Sequence, residues 1–237
     1  MAQLIVDFIT SLDGYASAEG WPGWWGMESP KYLDWLDERP DRDYTVLMGA
    51  NTYRLMSGFA SSPDTPAEEA DAMADLTRQR KIVFSSTLET PLAWANTEVI
   101  RGDAVEAVAA LKRDGTDMST IGSLTLCRSL LEAGLVDLFR VGVFPVITGK
   151  TGRERIYDGY PDVALDMVTS RTFDNRIQLL EYVPRAQRPA RRELRFLTAP
   201  ERSPRAGPIR AAVAFAGPRA ATGPERGPCR WGGRGRP

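Results

Sequence analysis

The sequence predicts an α/β sandwich around a mixed sheet. Short apolar runs alternate with amphipathic segments through residues 1–184, the mark of strands alternating with helices. The last two apolar runs, 163–173 and 176–182, are joined by Asp174 and Asn175, both tolerant of positive φ and suited to a hairpin. Alternation gives parallel crossovers, and the closing hairpin adds an antiparallel pair.

Taken in order, residues 3–9 (QLIVDFI) read as a strand, followed by the irregular segment SLDGYASAEGWPGWWGMES. Ser29 before Pro30 is an N-cap followed by a first-turn proline, opening a helix through Glu38. Residues 44–48 form a strand, GANTYRLM starts a helix, and residues 65–79 run acid first and base last, as the helix macrodipole favours. Strands at 81–85 and 98–100 precede a helix over Ala104–Arg113. A strand at 118–121, a helix at 124–133 and a strand at 136–145 complete the run, with no internal repeat.

Composition narrows the chemistry. The 237 residues are 43% hydrophobic, enough for an ordinary core, and contain no histidine. A chain without histidine builds no Ser-His-Asp or Cys-His triad and no His-containing metal site. Its two cysteines, Cys127 and Cys229, supply neither a disulfide framework nor a Cys-rich zinc site. No apolar run approaches the roughly 20 residues of a membrane helix, and the start MAQLIVDFITSLDGY has no basic leader. A cytoplasmic protein without a membrane partner is expected.

The formal charge of -1 conceals two unlike parts. Residues 185–237 hold 13 arginines, no lysine and 3 acids, a net of +10, against -11 for residues 1–184. Prolines and glycines scattered through 185–237 leave no period long enough for a core, so this part reads as a disordered tail. An arginine-rich arm could meet nucleic acid. Without lysine or aromatic interleaving suited to stacking, the tail reads instead as a composition-biased extension, and no nucleic-acid partner is expected.

Three strand ends carry candidate chemistry: VLMGANTY, KIVFSST and STIGSLTL. Ligands of open α/β sheets settle where strand C-termini meet helix N-termini with unpaired N–H groups. In the first, Gly49 permits close approach while Asn51 and Thr52 offer an amide and a hydroxyl; a plain helix start is the alternative. In the second, Ser85, Ser86 and Thr87 could line a ribose or phosphate, or form an ordinary turn. The third lacks both a G-x-G-x-x-G fingerprint and a P-loop lysine. Gly122 with Ser123, Leu124 and Thr125 reads equally as a phosphate cradle or a bend. Trp21, Trp24 and Trp25 among four glycines suggest a lid over a flat ligand, or a plug of the core or a dimer interface. Asp13 is the acid nearest that lid.

In order, LIVDFITSLDGYA, VLMGANTY, KIVFSSTL, IGSLTLCRSLLEAGLVD and FPVITG with the closing pair resemble the dihydrofolate reductase-like superfamily. They are most similar to the C-terminal reductase domain of the bifunctional riboflavin-biosynthesis deaminase/reductase. The resemblance spans residues 1–184 and implies a three-layer αβα sandwich around a mixed, mostly parallel sheet. It further implies a homodimeric, NADPH-dependent oxidoreductase, with NADH as the alternative cofactor. The implied enzyme resembles 5-amino-6-(5-phosphoribosylamino)uracil reductase, passing hydride to a small pterin- or ribityl-pyrimidine-like heterocycle in riboflavin- or folate-type metabolism.

Carried over by position, Gly49, Asn51 and Thr52 would hold the pyrophosphate and neighbouring ribose. Ser85 and Ser86 would hold the adenosine ribose and 2′-phosphate, and Gly122, Ser123, Leu124 and Thr125 the second phosphate edge. Asp13, Trp25, Ile147 and Gly149 would border the nicotinamide and substrate. Where many relatives carry arginines this chain has Ala50 and Ser86, which implies a weaker hold on a 2′-phosphate. Relatives often carry Gly-Gly where Ile121-Gly122 stands, which could narrow the turn. Glu28 and Asp34 lie near the relevant helix, yet no proton donor is assignable. A catalytically silent homodimer of the same fold that binds a nucleotide or flat ligand is the competing function.

Overall fold

The computed structural model describes residues 2–20, 25–27, 29–62 and 67–185. Trp21, Trp24, Glu28 and the tail beyond Arg185 lie outside the described residues. An eight-stranded sheet forms the middle layer, built from β1 (Leu4–Ser11), β3 (Thr45–Gly49), β4 (Lys81–Phe84), β5 (Thr97–Ile100), β6 (Met118–Thr120), β7 (Leu138–Phe144), β9 (Ala164–Phe173) and β10 (Ile177–Arg185). A separate short ribbon pairs β2 (Tyr15–Ala18) with β8 (Gly152–Arg155). The helices are α1 (Pro30–Glu38), α2 (Ala50–Ala60), α3 (Ala67–Arg78), α4 (Ala104–Arg113) and α5 (Leu124–Glu132).

The strand order β5-β4-β3-β6-β1-β7-β10-β9 is parallel through its first six members. Strand β10 runs antiparallel to β7 and to β9. The hairpin turn takes φ of 48° at Asp174 and 55° at Asn175, the left-handed pair that a two-residue turn requires. Six parallel strands put six carboxyl ends on one edge of the sheet. The register aligns Gly49 with Phe84, Phe84 with Ile100, and Ser11 with Phe144.

Alternation along each strand separates two cores. Leu4, Val6 and Phe8 of β1 and Leu47 of β3 face Val108 of α4 and Leu126, Cys127, Leu130 and Leu131 of α5. The opposite face carries Val46 and Met48 beneath Tyr53 of α2, and Phe144 beneath Tyr32 of α1. Helices α4 and α5 therefore cover one face and α1, α2 and α3 the other. On α5 the buried residues recur at spacings of one and four, a single apolar face.

Local signals explain the helix starts. Ser29 Oγ accepts from Tyr32 N–H with Pro30 in the first turn, and Asp103 accepts from Val105 and Glu106 N–H. The C-terminus of α3 is closed by Lys81, fully buried in β4, whose Nζ donates to the carbonyls of Leu76, Thr77 and Gln79. Its ammonium also lies 4.7 Å from the Trp94 ring centroid.

The segment after β1, expected to be irregular, contains a strand. Tyr15 pairs with Arg155 and Ala18 with Gly152. Gly152 makes room for the pairing: a Cβ there would lie 2.6 Å from Tyr15 Cγ. Nothing local announces a partner so distant in sequence. Among the described residues, no helix is long and apolar enough to cross a membrane.

Candidate functional site

Strands β3 and β6 are neighbours, and the helices that follow them lie on opposite faces of the sheet. The N-termini of α2 and α5 therefore flank one crevice at the carboxyl edge, the position where open α/β sheets accept ligands. Gly49 caps α2 on one wall, and Gly122-Ser123 leads into α5 on the other. Ser123 Oγ spans the gap: it accepts from Gly49 N–H at 2.6 Å and lies 2.7 Å from Thr52 Oγ1. Gly49, Thr52, Gly122 and Ser123 are thus brought together by strands that are far apart in sequence.

The α5 wall has a specific construction. Gly122 and Ser123 are both left-handed, with φ of 52° and 67°. Cys127 Sγ donates to Gly122 O at 2.9 Å and Thr120 Oγ1 lies 3.4 Å from the same sulfur, which pins the Gly122 carbonyl towards the helix. Burial pushes the Cys127 thiol up to about 12, so this cysteine is a packing and anchoring group, not a nucleophile. Leu124 packs against the α4/α5 core, and Thr125 is exposed in the first turn of α5.

The remaining predicted residues of this set lie nearby in topology but differ in state. Asn51 is exposed, with its Oδ1 accepting from Arg54 Nη1 at 3.1 Å. Ser85 follows β4, the next strand beyond β3, and its Oγ accepts from the N–H groups of Thr87 and Leu88 at 3.1 Å. The Ser86 carbonyl accepts from Arg101 Nη1 at 2.9 Å, while Arg101 Nη2 reaches Leu88 O at 2.6 Å. Arg101 escaped sequence reasoning because a single arginine after a strand has no distinguishing pattern. It brings a guanidinium to the serine loop where Ser86 replaces the expected arginine.

On the other side of β6, the β1 and β7 ends hold the second group. The Asp13 carboxylate accepts from Ser11 Oγ at 2.7 Å, Gly149 N–H at 2.9 Å and Thr148 N–H at 3.1 Å. Partial burial pushes this carboxyl up, but hydrogen bonds from Ser11, Gly149 and Thr148 prevail and hold it at about 2. Asp13 therefore fastens the turn after β1 to the turn after β7, with its oxygens already engaged. Gly149 takes φ of 51° in that turn, and Ile147 beside it is 72% exposed.

Trp25 differs from its expected place as a lid or ligand wall. It is 4% exposed and packs 5.5 Å from the Phe144 ring, in an aromatic cluster with Tyr32 and Phe173. Its core neighbours come from α1, β7, β9 and β10, so of the readings open to this tryptophan-rich segment Trp25 takes the plug of the core. Asp34 is exposed on α1.

A sequence model of the RibD C-terminal domain matches residues 2–179. The chain belongs to the RibD C-terminal domain family. Among its relatives, YyaP of Bacillus subtilis (strain 168) is 25% identical over 186 residues, covering 76% of this chain and 94% of YyaP. A putative riboflavin biosynthesis protein from Shewanella sp. PV-4 superposes with a TM-score of 0.59 at 18% identity, over 78% of this chain and 100% of that one. Dihydrofolate reductase from Enterococcus faecalis, solved as a complex with NADP(H) and RAB-propyl, gives 0.50 at 16% identity, over 78% and 97%. The RibD C-terminal fold here is thus the dihydrofolate reductase-like α/β sandwich, and family membership supports an oxidoreductase role.

Proposed function

We propose that this RibD C-terminal domain protein is an NADPH-dependent reductase, with NADH as the alternative donor, acting on a small pterin- or ribityl-pyrimidine-like heterocycle. The observation that carries the reading is the crevice between β3 and β6, where two helix N-termini, the Gly49 N–H and two hydroxyls converge. The packing there is close: a Cβ on Gly49 would stand 3.3 Å from Ser123 Oγ, a tight contact that would press on the serine.

When bound, the nicotinamide cofactor supplies the hydride. Gly49, Thr52 and the Gly122–Thr125 turn, with Asn51 at its margin, hold the pyrophosphate side by N–H and hydroxyl groups. Ser85 and Ser86 receive the adenosine ribose, and Arg101 contributes the positive charge for a 2′-phosphate. Asp13 positions the Thr148–Gly149 turn, and Ile147 offers an exposed apolar surface to a flat acceptor. Asp13 is ionised at neutral pH and engaged with four donor atoms, so it does not serve as proton donor. Solvent supplies the proton, and the chain works by positioning donor against acceptor. This is chemistry for the cytoplasm, where reduced nicotinamides are available.

The working unit is a homodimer; the β9/β10 hairpin supports this by exposing Leu165, Met167, Val168 and Val183 at 39–59%. Sedimentation equilibrium giving only a monomer would remove that part. Titration of the protein with NADPH and NADH, followed by cofactor fluorescence, tests the main reading. Saturable binding of NADPH is expected, and no binding of either at about millimolar concentration contradicts it. The engagement of Asp13 favours one competitor, a catalytically silent protein binding the same ligands. Binding without NADPH oxidation against pterins, flavins, quinones and ribityl-pyrimidines would select it.

A further inference from the structure

Ser123 behaves unlike the other polar N-caps. Ser29 and Asp103 take extended backbone and accept from N–H groups of their own helices. Ser123 is left-handed, at φ 67° and ψ 70°, and its side chain makes no bond to α5. Its hydroxyl turns across the crevice to Gly49 N–H and Thr52 Oγ1 instead. A residue with a Cβ is seldom held in this conformation, and only Gly, Asn or Asp visit it readily. The Gly49 N–H at the cap of α2 is thus satisfied internally by one serine oxygen.

We infer that Ser123 is an internal plug which sets cofactor affinity by occlusion: its hydroxyl occupies the place of a phosphate oxygen between the N-termini of α2 and α5. The inference rests on the cofactor reading above and reverses the sign of one residue's role within it. A phosphate entering the crevice displaces the Ser123 hydroxyl from Gly49 N–H before that donor is available. The chain exchanges one neutral acceptor for an anionic one, and loses the bond that closed the crevice. Ser123 is therefore a determinant of affinity that opposes binding, while Thr52 and Gly49 favour it.

Two substitutions separate a plug from a ligand. Ser123→Ala removes the oxygen and keeps the Cβ; Ser123→Gly removes both and suits the left-handed backbone, so it keeps the fold even where alanine strains it. NADPH titrations of wild type and both variants, with thermal unfolding as the control for folding, should show binding tightened about threefold to tenfold in each variant. In the ligand-free protein, hydrogen exchange of the Gly49 amide should quicken in both, because its acceptor has gone. Weaker or unchanged binding in folded Ser123→Ala and Ser123→Gly, with wild type still binding, overturns the plug and leaves the cofactor reading standing. Absence of NADPH and NADH binding in all three proteins overturns both.

Discussion

The two halves of the sheet treat polarity in opposite ways. Under α1, the β1/β7/β10 half buries a charged cluster: Arg140, 3% exposed, grips Asp41 through both terminal nitrogens at 2.9 and 3.0 Å, with Asp7 at 3.1 Å and Glu181 at 2.8 Å. Arg39 adds a second guanidinium on Asp7 at 3.1 Å, and the Trp35 ring lies 5.2 Å from the Arg140 guanidinium carbon. The β3/β4/β6 edge instead presents hydroxyls and N–H groups, with Arg101 at its margin as a cation. Charge is committed to the framework, while neutral groups that can change partners face the crevice.

Burial and pairing compete differently within the charged cluster. At Asp7, burial raises the carboxyl's pKa against the pull of Arg140 and Arg39 and prevails. At Asp41, burial also pushes upward, but the paired hydrogen bonds from Arg140 win and the carboxyl is held below its usual range. A buried charge of this kind is a poor source of net stability but a costly thing to break, since removing one partner strands the others. The cluster fixes the loop carrying Asp41 to β1, which neighbours β6, and to β7 on its far side.

The largest expected effect breaks the framework half. Arg140→Met takes the two-pronged partner from Asp41 and leaves Asp7 and Asp41 to Arg39 alone, and denaturant unfolding should show a loss of about 3–5 kcal/mol. A loss under about 1 kcal/mol would erase the contrast between the halves. Asp13→Asn tests the fastening between the turns after β1 and β7 and should give a smaller loss with a characteristic pH profile. Because the folded carboxyl sits at about 2, below the ordinary 3.8, the unfolded chain binds more protons between those values. The wild-type advantage over Asp13→Asn is therefore complete above about pH 5 and shrinks as pH falls through about 2. An advantage that is constant across that range would show that the charge is unimportant.

On the crevice side the effects are smaller and fall on binding. Thr52→Val keeps the volume and removes the hydroxyl, so NADPH affinity should drop by about 1 kcal/mol with the unfolding midpoint nearly unchanged. Unchanged affinity would reduce Thr52 to a helix-start residue. Arg101→Gln should narrow the preference for NADPH over NADH by a few-fold, measured as the ratio of the two dissociation constants. A ratio that does not move would remove Arg101 from the site.

Much of the fold was written locally. Ser29-Pro30 marked a helix start and Asp174-Asn175 marked the hairpin, because caps and tight turns depend on a few adjacent residues. The parallel strands were legible as apolar runs, and their order placed three small-residue ends along one edge. Pairings between distant segments were not legible. The β2/β8 ribbon joins four-residue strands from opposite ends of the domain, and Trp25 lies in a core assembled from α1, β7, β9 and β10.

The charged cluster left a trace that periodicity alone discards: LIVDFIT and LFRVGVF each carry one charge inside an apolar strand, of opposite sign. Asp7 and Arg140 are paired in register. The bridging of Gly49 and Thr52 by Ser123 left none, since it depends on a left-handed serine turning away from its own helix.

Whether the separate strand ends form one cofactor cradle is decided by amide chemical shifts during titration with NADPH. Saturable shifts are expected at Gly49–Thr52, Ser85–Leu88 and Ile121–Thr125, joined by the Ile147–Gly149 turn, all with one dissociation constant. Shifts confined to the cavity of about 470 Å³ bordered by Tyr157, Tyr160 and Val163, or no shifts at millimolar NADPH, would contradict it.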